Sequence, residues 1–358
     1  MKRLATLACP VLLLGAAAMA SAAPAKYFRL TDLGDLANDR LHSATFVSGL
    51  NERSEAVGQS FDPQLRARAY LWRKGKLTDL GDALGTLKGL EAFAINKKSQ
   101  IVGGGRLSTG VARAFLWNHN VMLVLPSLWA ADKGAYAWNI NDHGEVVGAG
   151  SDNTGMLRAL HWVAGIPFAL GSTPDGRIAV QAFDINEHGQ IVGYIGPGGK
   201  AAYAHAFSWQ AGQFTDLGTL PGTQLSVANA LNDKGQVVGR SLDTTKPGTS
   251  RAVIWEDGTI QDLGMPDVSH VRSEARGISK KGSVVGSSGV GLLAVAWLWQ
   301  DGVIRDLNKL ISPGDPNRTF VQLTGALAIN DREEITAEGT DLRYPGSLRS
   351  YLLKPAKK

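Results

Sequence analysis

The stretch Asn232-Asp-Lys-Gly-Gln-Val-Val-Gly239 recurs along the chain, and its spacing restricts the fold more than any other property. Written as I/L-N-x-x-G-x-V-V-G, it begins at Leu50, Ile95, Ile140, Ile185 and Leu231, with altered copies at Ile278 and Ile329. Its polar anchor is Asn51, Asn96, Asn141, Asn186, Asn232 and Asn330, with Ser279 in the sixth copy; the steps are 45, 45, 45, 46, 47 and 51 residues. Self-similarity at this period denotes a solenoid, a propeller or an array of one supersecondary unit.

Each unit reads as four short β segments. In the fifth, residues 227–231 enter an Asn-Asp-Lys-Gly turn, where the Asn can bond back to its own backbone and Gly235 accepts a positive φ. Residues 236–239 return. After a loop, residues 251–255 are rich in β formers, Asp257-Gly258 is a two-residue hairpin signal, and residues 260–264 close the unit. The third segments end at Trp72, Trp117, Trp162, Trp209, Trp255 and Trp299. A Trp repeated in this way is expected to fill the gap between units, burying ~150–250 Å² each.

The seventh unit stops at Leu353 and has no fourth segment. One stands instead at the other end of the chain, where Leu30-Thr-Asp32-Leu-Gly34 repeats Leu77-Thr-Asp79-Leu-Gly81 letter for letter. A rod has no use for a split unit, whereas a ring uses it to remove two exposed edges. The chain is therefore expected to be all-β: a single seven-bladed β-propeller over residues 24–358, closed by the N-terminal strand on the last blade.

Residues 1–23 read as a signal peptide, with Lys2 and Arg3 before an apolar run and small residues at 20–22. The expectation is export to the periplasm or the extracellular space. The single cysteine, Cys9, leaves with the signal, so no disulfide is expected. Removing Lys2 and Arg3 lowers the formal charge from +5 to +3, and no run of like charge implies nucleic acid or an anionic membrane surface. No membrane span is expected, and the protein is read as a monomer.

These residues resemble the HAF repeat of secreted bacterial proteins. The fullest match is His205-Ala-Phe-Ser-Trp209, then Asp216-Leu-Gly-Thr-Leu-Pro-Gly222, then Ala230-Leu-Asn232 and Val237-Val-Gly239. The resemblance covers nearly all of the mature chain. It implies a secreted β-repeat protein, and it carries over no catalytic residue. In the other units the His is Arg68, Arg113, Arg158, Arg251 or Arg349, with Val295 as the exception.

Two-residue turns between the third and fourth segments place that cation diagonally across from the Asp of D-L-G. The pairs expected are Arg68 with Asp79, His205 with Asp216, Arg251 with Asp262, and Arg349 with Asp32 across the closure. Val124 and Ala169 replace the Asp opposite Arg113 and Arg158, leaving those two exposed, paired elsewhere, or part of an anion site. In the innermost strands, positions that leave the repeat for a polar side chain are Asn139, Asp184, Asn229 and Arg276, which become central ligand candidates. The longer connections all emerge on one face, where binding residues concentrate; that face carries Trp129, Tyr136, His42, His270, Asp267 and Tyr203. No Ser-His-Asp order, metal-spaced cluster or phosphate loop is present, and no cofactor is expected. The class preferred is a non-catalytic binding or scaffolding propeller for a protein or carbohydrate. The alternative is a polysaccharide lyase or hydrolase with its site at the central funnel.

Overall fold

The computed structural model describes residues 27–38, 44–81, 87–129, 134–197 and 204–356. The signal sequence, His42 and Tyr203 lie outside the described residues. Seven antiparallel four-stranded sheets follow one another around an axis. Blade 1 shows the pattern: Thr45–Leu50 is innermost, followed outward by Ala56–Phe61, Ala67–Arg73 and Lys76–Asp79. The other inner strands are Lys88–Ile95, Ala135–Ile140, Arg177–Ile185, Leu225–Leu231, Ser273–Ile278 and Val321–Ile329. Among the described residues, no helix is long and apolar enough to cross a membrane.

The ring closes as the split unit requires. Phe28–Asp32 pairs antiparallel with Leu348–Pro355, the third strand of blade 7, with Leu30 opposite Leu353. Phe28 and Leu30 join a buried cluster with Ile335, Ala337 and Tyr351 of blade 7 and Val285 and Leu298 of blade 6. The closure is thus a hydrophobic seam as well as a ladder of backbone bonds. The diagonal Arg349 to Asp32 pair spans it at 3.1 Å, and Arg68–Asp79, His205–Asp216 and Arg251–Asp262 stand at 2.9, 2.9 and 2.8 Å.

The first valine of V-V-G and the residue ending the third strand pack between blades. Ile101 and Trp117, for example, share a cluster with Val57 and Leu71 of the preceding blade. Trp72, Trp117, Trp162 and Trp255 are buried, while Trp209 and Trp299 are partly so.

The glycine ending V-V-G has a different cause. Every inner strand carries a β-bulge three residues before the Asn position, between Val47 and Gly49 in blade 1 and between Ala228 and Ala230 in blade 5. A bulge bends the strand and re-aims a side chain. Here it also drives a carbonyl against the neighbouring strand: a Cβ on Gly58 would lie 1.9 Å from the Phe46 oxygen, and one on Gly239 2.0 Å from the Val227 oxygen. Only glycine admits that approach. Blade 7 carries Ala337 at this position; its second register shift, between Leu323 and Gly325, does not set it apart, since blades 2 and 4 have one too and keep Gly103 and Gly193.

Candidate functional site

The bulges decide what lines the axis. The residue left unpaired in each is Ser48, Phe93, Trp138, Phe183, Asn229, Arg276 or Leu327. All seven line one cavity of about 570 Å³ on the face of the longer connections. One wall is aromatic. Phe93 and Trp138 lie 4.5 Å apart between ring centroids, Tyr136 stacks on Trp138 at 5.5 Å and 18°, and Phe183 stands 6.3 Å from Trp138. The other wall is polar, formed by Asn229, Glu274, Arg276, Glu338, Gln59 and Glu91.

The three glutamates differ in whether a salt bridge answers their charge. Glu274 accepts from Asn229 Nδ2 at 2.8 Å and pairs with Arg240 at 2.9 Å and with Arg276 at 3.5 Å. Glu91 and Glu338 form no salt bridge among the described residues. Burial pushes the Glu91 carboxyl above its ordinary range. Burial also lifts Glu338, to about 7, although Arg276 and the Val47 N–H pull it down.

Two further cavities open from this one. A polar cleft of about 400 Å³ shares Glu274, Arg276, Leu327 and Glu338 and adds Arg240, Arg272 and Val290. An apolar cleft of about 510 Å³ shares Trp138 and runs along Tyr136 and Val111. Towards the axis the funnel narrows to a neck lined by Asn139 and Asp184.

The neck candidates hold blades together. Asp184 is buried; its Oδ1 accepts from Asn139 Nδ2 of blade 3 at 2.6 Å, and its Oδ2 accepts from the Leu231 N–H of blade 5 at 2.8 Å. One carboxylate therefore ties three successive blades. Burial raises its pKa to about 7 against the pull of those donors. The reason lies in the column two before the Asn position, which faces sideways onto the next blade. At Gly49 a Cβ would already lie 3.0 Å from the Ala94 Cα.

Arg113, Arg158 and Trp129 do not line the funnel. Arg158 pairs with Asp152 at 2.7 Å, which replaces the missing partner on the fourth strand. Arg113 donates to the Ala112 carbonyl at 2.9 Å. Trp129 packs against the cluster containing Leu160 and Trp162.

The opposite mouth is built from the repeated turns. Each Asn caps its own turn: Asn51 Oδ1 accepts from the Arg53 and Glu55 N–H groups at 2.9 and 3.0 Å. Its amide then reaches the next blade. Asn51 Nδ2 donates to the Asn96 carbonyl at 3.0 Å, Asn96 to Asn141 at 2.9 Å, Asn141 to Asn186 at 3.3 Å, Asn186 to Asn232 at 3.2 Å, and Asn232 to Ser279 at 3.0 Å. Asn330 donates to the Asn51 carbonyl at 3.1 Å, which closes the circuit. In the broken copy, the Ser279 hydroxyl instead donates to the buried Glu333 at 3.0 Å, so two departures from the repeat compensate each other. The residues after the Asn column interlock as well. Lys97 pairs with Asp142 at 2.9 Å and Lys280 with Asp233 at 3.1 Å, and these bonds raise both lysine pKa values.

Several funnel residues escaped the sequence reading. Glu91 and Glu274 stand five before the Asn position. Gln59, Glu338 and, in the adjoining cleft, Arg240 directly follow the V-V-G unit and pair across from that column. The signal was present, since the residue after V-V-G varies as freely as the bulge residue does, through Gln59, Gly104, Ala149, Tyr194, Arg240, Ser287 and Glu338.

No protein-family model matches the chain, and no curated protein sequence matches it. Solved structures similar to it are propellers. One is the β-propeller domain of a trilobed protease from Pyrococcus furiosus, described as having an open velcro topology; the TM-score is 0.55 at 10% identity, over 88% of this chain and 96% of that one. Another is YCF48 bound to a D1 peptide, with TM-score 0.52 at 9% identity over 92% and 97% of the two chains. A prolyl endopeptidase matches with TM-score 0.52 at 9% identity, over 93% of this chain but 51% of the peptidase, so this chain spans about half its length. At these identities the likeness shows the fold alone. Fold and site together define a seven-bladed propeller with a two-walled axial funnel.

Proposed function

We propose that this is an exported, monomeric binding propeller of the HAF-repeat kind, formed by residues 24–358, which engages a protein or glycan in the funnel on its long-connection face. One observation carries the reading. The seven bulges aim seven side chains into one cavity, and those side chains are where the repeat abandons its consensus. A scaffold needs such variation only where a ligand is read. The propeller of known structure bound to a peptide supports the class without supplying a ligand for this chain. Glycan and peptide arrays probed with residues 24–358 test it. Hits should weaken about tenfold or more in Trp138→Ala, as expected for a central aromatic anchor. Hits that survive unchanged in both Trp138→Ala and Arg276→Ala would place binding elsewhere.

A second reading, a polysaccharide lyase or hydrolase, is favoured by Glu338, since a carboxyl held at about 7 in a cavity suits proton transfer near neutral pH. Product analysis on any glycan hit separates the two. Turnover abolished by Glu338→Gln supports the enzyme, and binding without turnover excludes it.

A further inference from the structure

We infer that the funnel receives a basic side chain, Lys or Arg, of a polypeptide partner, with its charge against Glu91 and Glu338 and its stem along Phe93 and Trp138. This rests on the reading of the funnel as the binding site and assigns the chemistry of its ligand.

The cavity holds more negative charge than its own cations answer. Of the three glutamates in the cavity, Glu274 is answered by Arg240 and Arg276, at 2.9 and 3.5 Å. Glu91 and Glu338 line the same cavity and have no cation within salt-bridge distance among the described residues. A sheltered carboxylate with no salt bridge costs free energy, which the Val47 N–H and the more distant Arg276 offset only in part at Glu338 and which an incoming cation recovers. The aromatic wall fits the same ligand by its shape. Phe93, Tyr136 and Trp138 form a triangle with centroids 4.5, 5.5 and 6.3 Å apart, and Phe93 is turned 47° and 65° from the other two, so the wall is faceted and offers no broad flat platform for a sugar. The wall offers apolar flank beside carboxylate, which matches a side chain with an alkyl stem and a charged head.

The rim beside the funnel is aliphatic. Val268 is 99% exposed, Val271 59%, Val290 54% and Leu293 80%. Val290 lines the polar cleft that opens from the funnel, and the connection bearing Val271 is tied to it where the Gly289 N–H donates to the Arg272 carbonyl at 2.9 Å. Exposed aliphatic residues around a charged centre suit a polypeptide surface better than a glycan.

The probes are butylguanidinium and its neutral isostere butylurea, titrated by calorimetry into the protein. Butylguanidinium should bind at least tenfold more tightly at pH 8. The preference should shrink by pH 5.5 as Glu338 takes up a proton. The groups facing Glu338 are Arg276, Glu274, Arg240, Arg272, Glu91 and the buried Tyr70 phenol, of which Glu91 titrates in the same direction. The Glu91→Gln/Glu338→Gln double variant should lose the preference while keeping the melting temperature. Should that variant fail to fold, the wild-type comparison of isosteres and of pH still decides. Equal binding of the two probes overturns the cation site, yet array hits that depend on Trp138 would then leave the binding funnel standing. A tetra-arginine peptide should outbind fully deacetylated chitotetraose. The reverse order overturns the polypeptide assignment in favour of an aminated glycan.

Discussion

At the short-turn mouth of the channel, each Asn amide bonds to the next blade's backbone, and the following acid or lysine bonds onward again. At the funnel, three residues up the same inner strands, the side chains are Ser48, Phe93, Trp138, Phe183, Asn229, Arg276 and Leu327, with no common chemistry. The first set can be repeated because each copy answers its neighbour. A donor on one blade meets an acceptor on the next, and the circuit closes from Asn330 to Asn51. The second set faces the funnel, where the contacts between neighbouring blades, such as Phe93 with Trp138 and Asn229 with Glu274, differ from one pair of blades to the next. Repetition marks what every blade does for its neighbour, and variation marks both the funnel lining and single ties between blades such as Asp184.

That contrast can be broken in several ways, the largest effect first. Deleting the N-terminal strand, Phe28–Asp32, removes two buried side chains and the Arg349 pairing, and should cost about 5 kcal/mol or more in chemical denaturation. An unchanged transition would mean the ring does not depend on its closure. Gly239→Ala sets a Cβ 2.0 Å from the Val227 oxygen and should cost about 3 kcal/mol. Relief of the bulge in that variant would show as a change at Asn229 in the funnel. Asn232→Asp keeps the turn-capping oxygen but loses the donor to the Ser279 carbonyl, for about 1–2 kcal/mol. A neutral result would reduce the blade-to-blade circuit to geometry without energy.

The next effect depends on pH. Asp184 has a folded pKa of about 7, above its ordinary 3.8. The folded state therefore binds the extra proton between those values, and the stability this supplies is lost as pH rises through 7. Glu338 acts in the same sense. Melting temperature should fall from pH 5 to 8 in the wild type, and more gently in Asp184→Asn. An identical slope in that variant would remove Asp184 from the account. The smallest stability change belongs to exposed Arg276: Arg276→Ala should shift stability by no more than about 0.5 kcal/mol.

The fold was legible because a period near 45 residues, hairpin turns and a split unit each point to the same ring. The Asn role was half legible. Its turn-capping oxygen follows from local sequence, whereas its amide reaches a carbonyl on another blade, which no local pattern announces. The bulge was hidden, because an extra residue leaves the hydrophobic alternation nearly intact while turning one side chain to the axis. Hence Asn229 and Arg276 were found among the central candidates, whereas Asn139 and Asp184, one residue further on, turned out to join blades. Glu91 and Glu338 went unnoticed because their significance depends on the second strand pairing beside the first.

The most direct measurement sets Arg276→Ala beside Asn232→Asp, each melted and each probed on the same glycan and peptide arrays as the wild type. Arg276→Ala should melt like the wild type with an altered set of hits, and Asn232→Asp should melt lower with the wild-type set. Hits retained by Arg276→Ala and lost by Asn232→Asp, at a temperature where both are folded, would contradict the account.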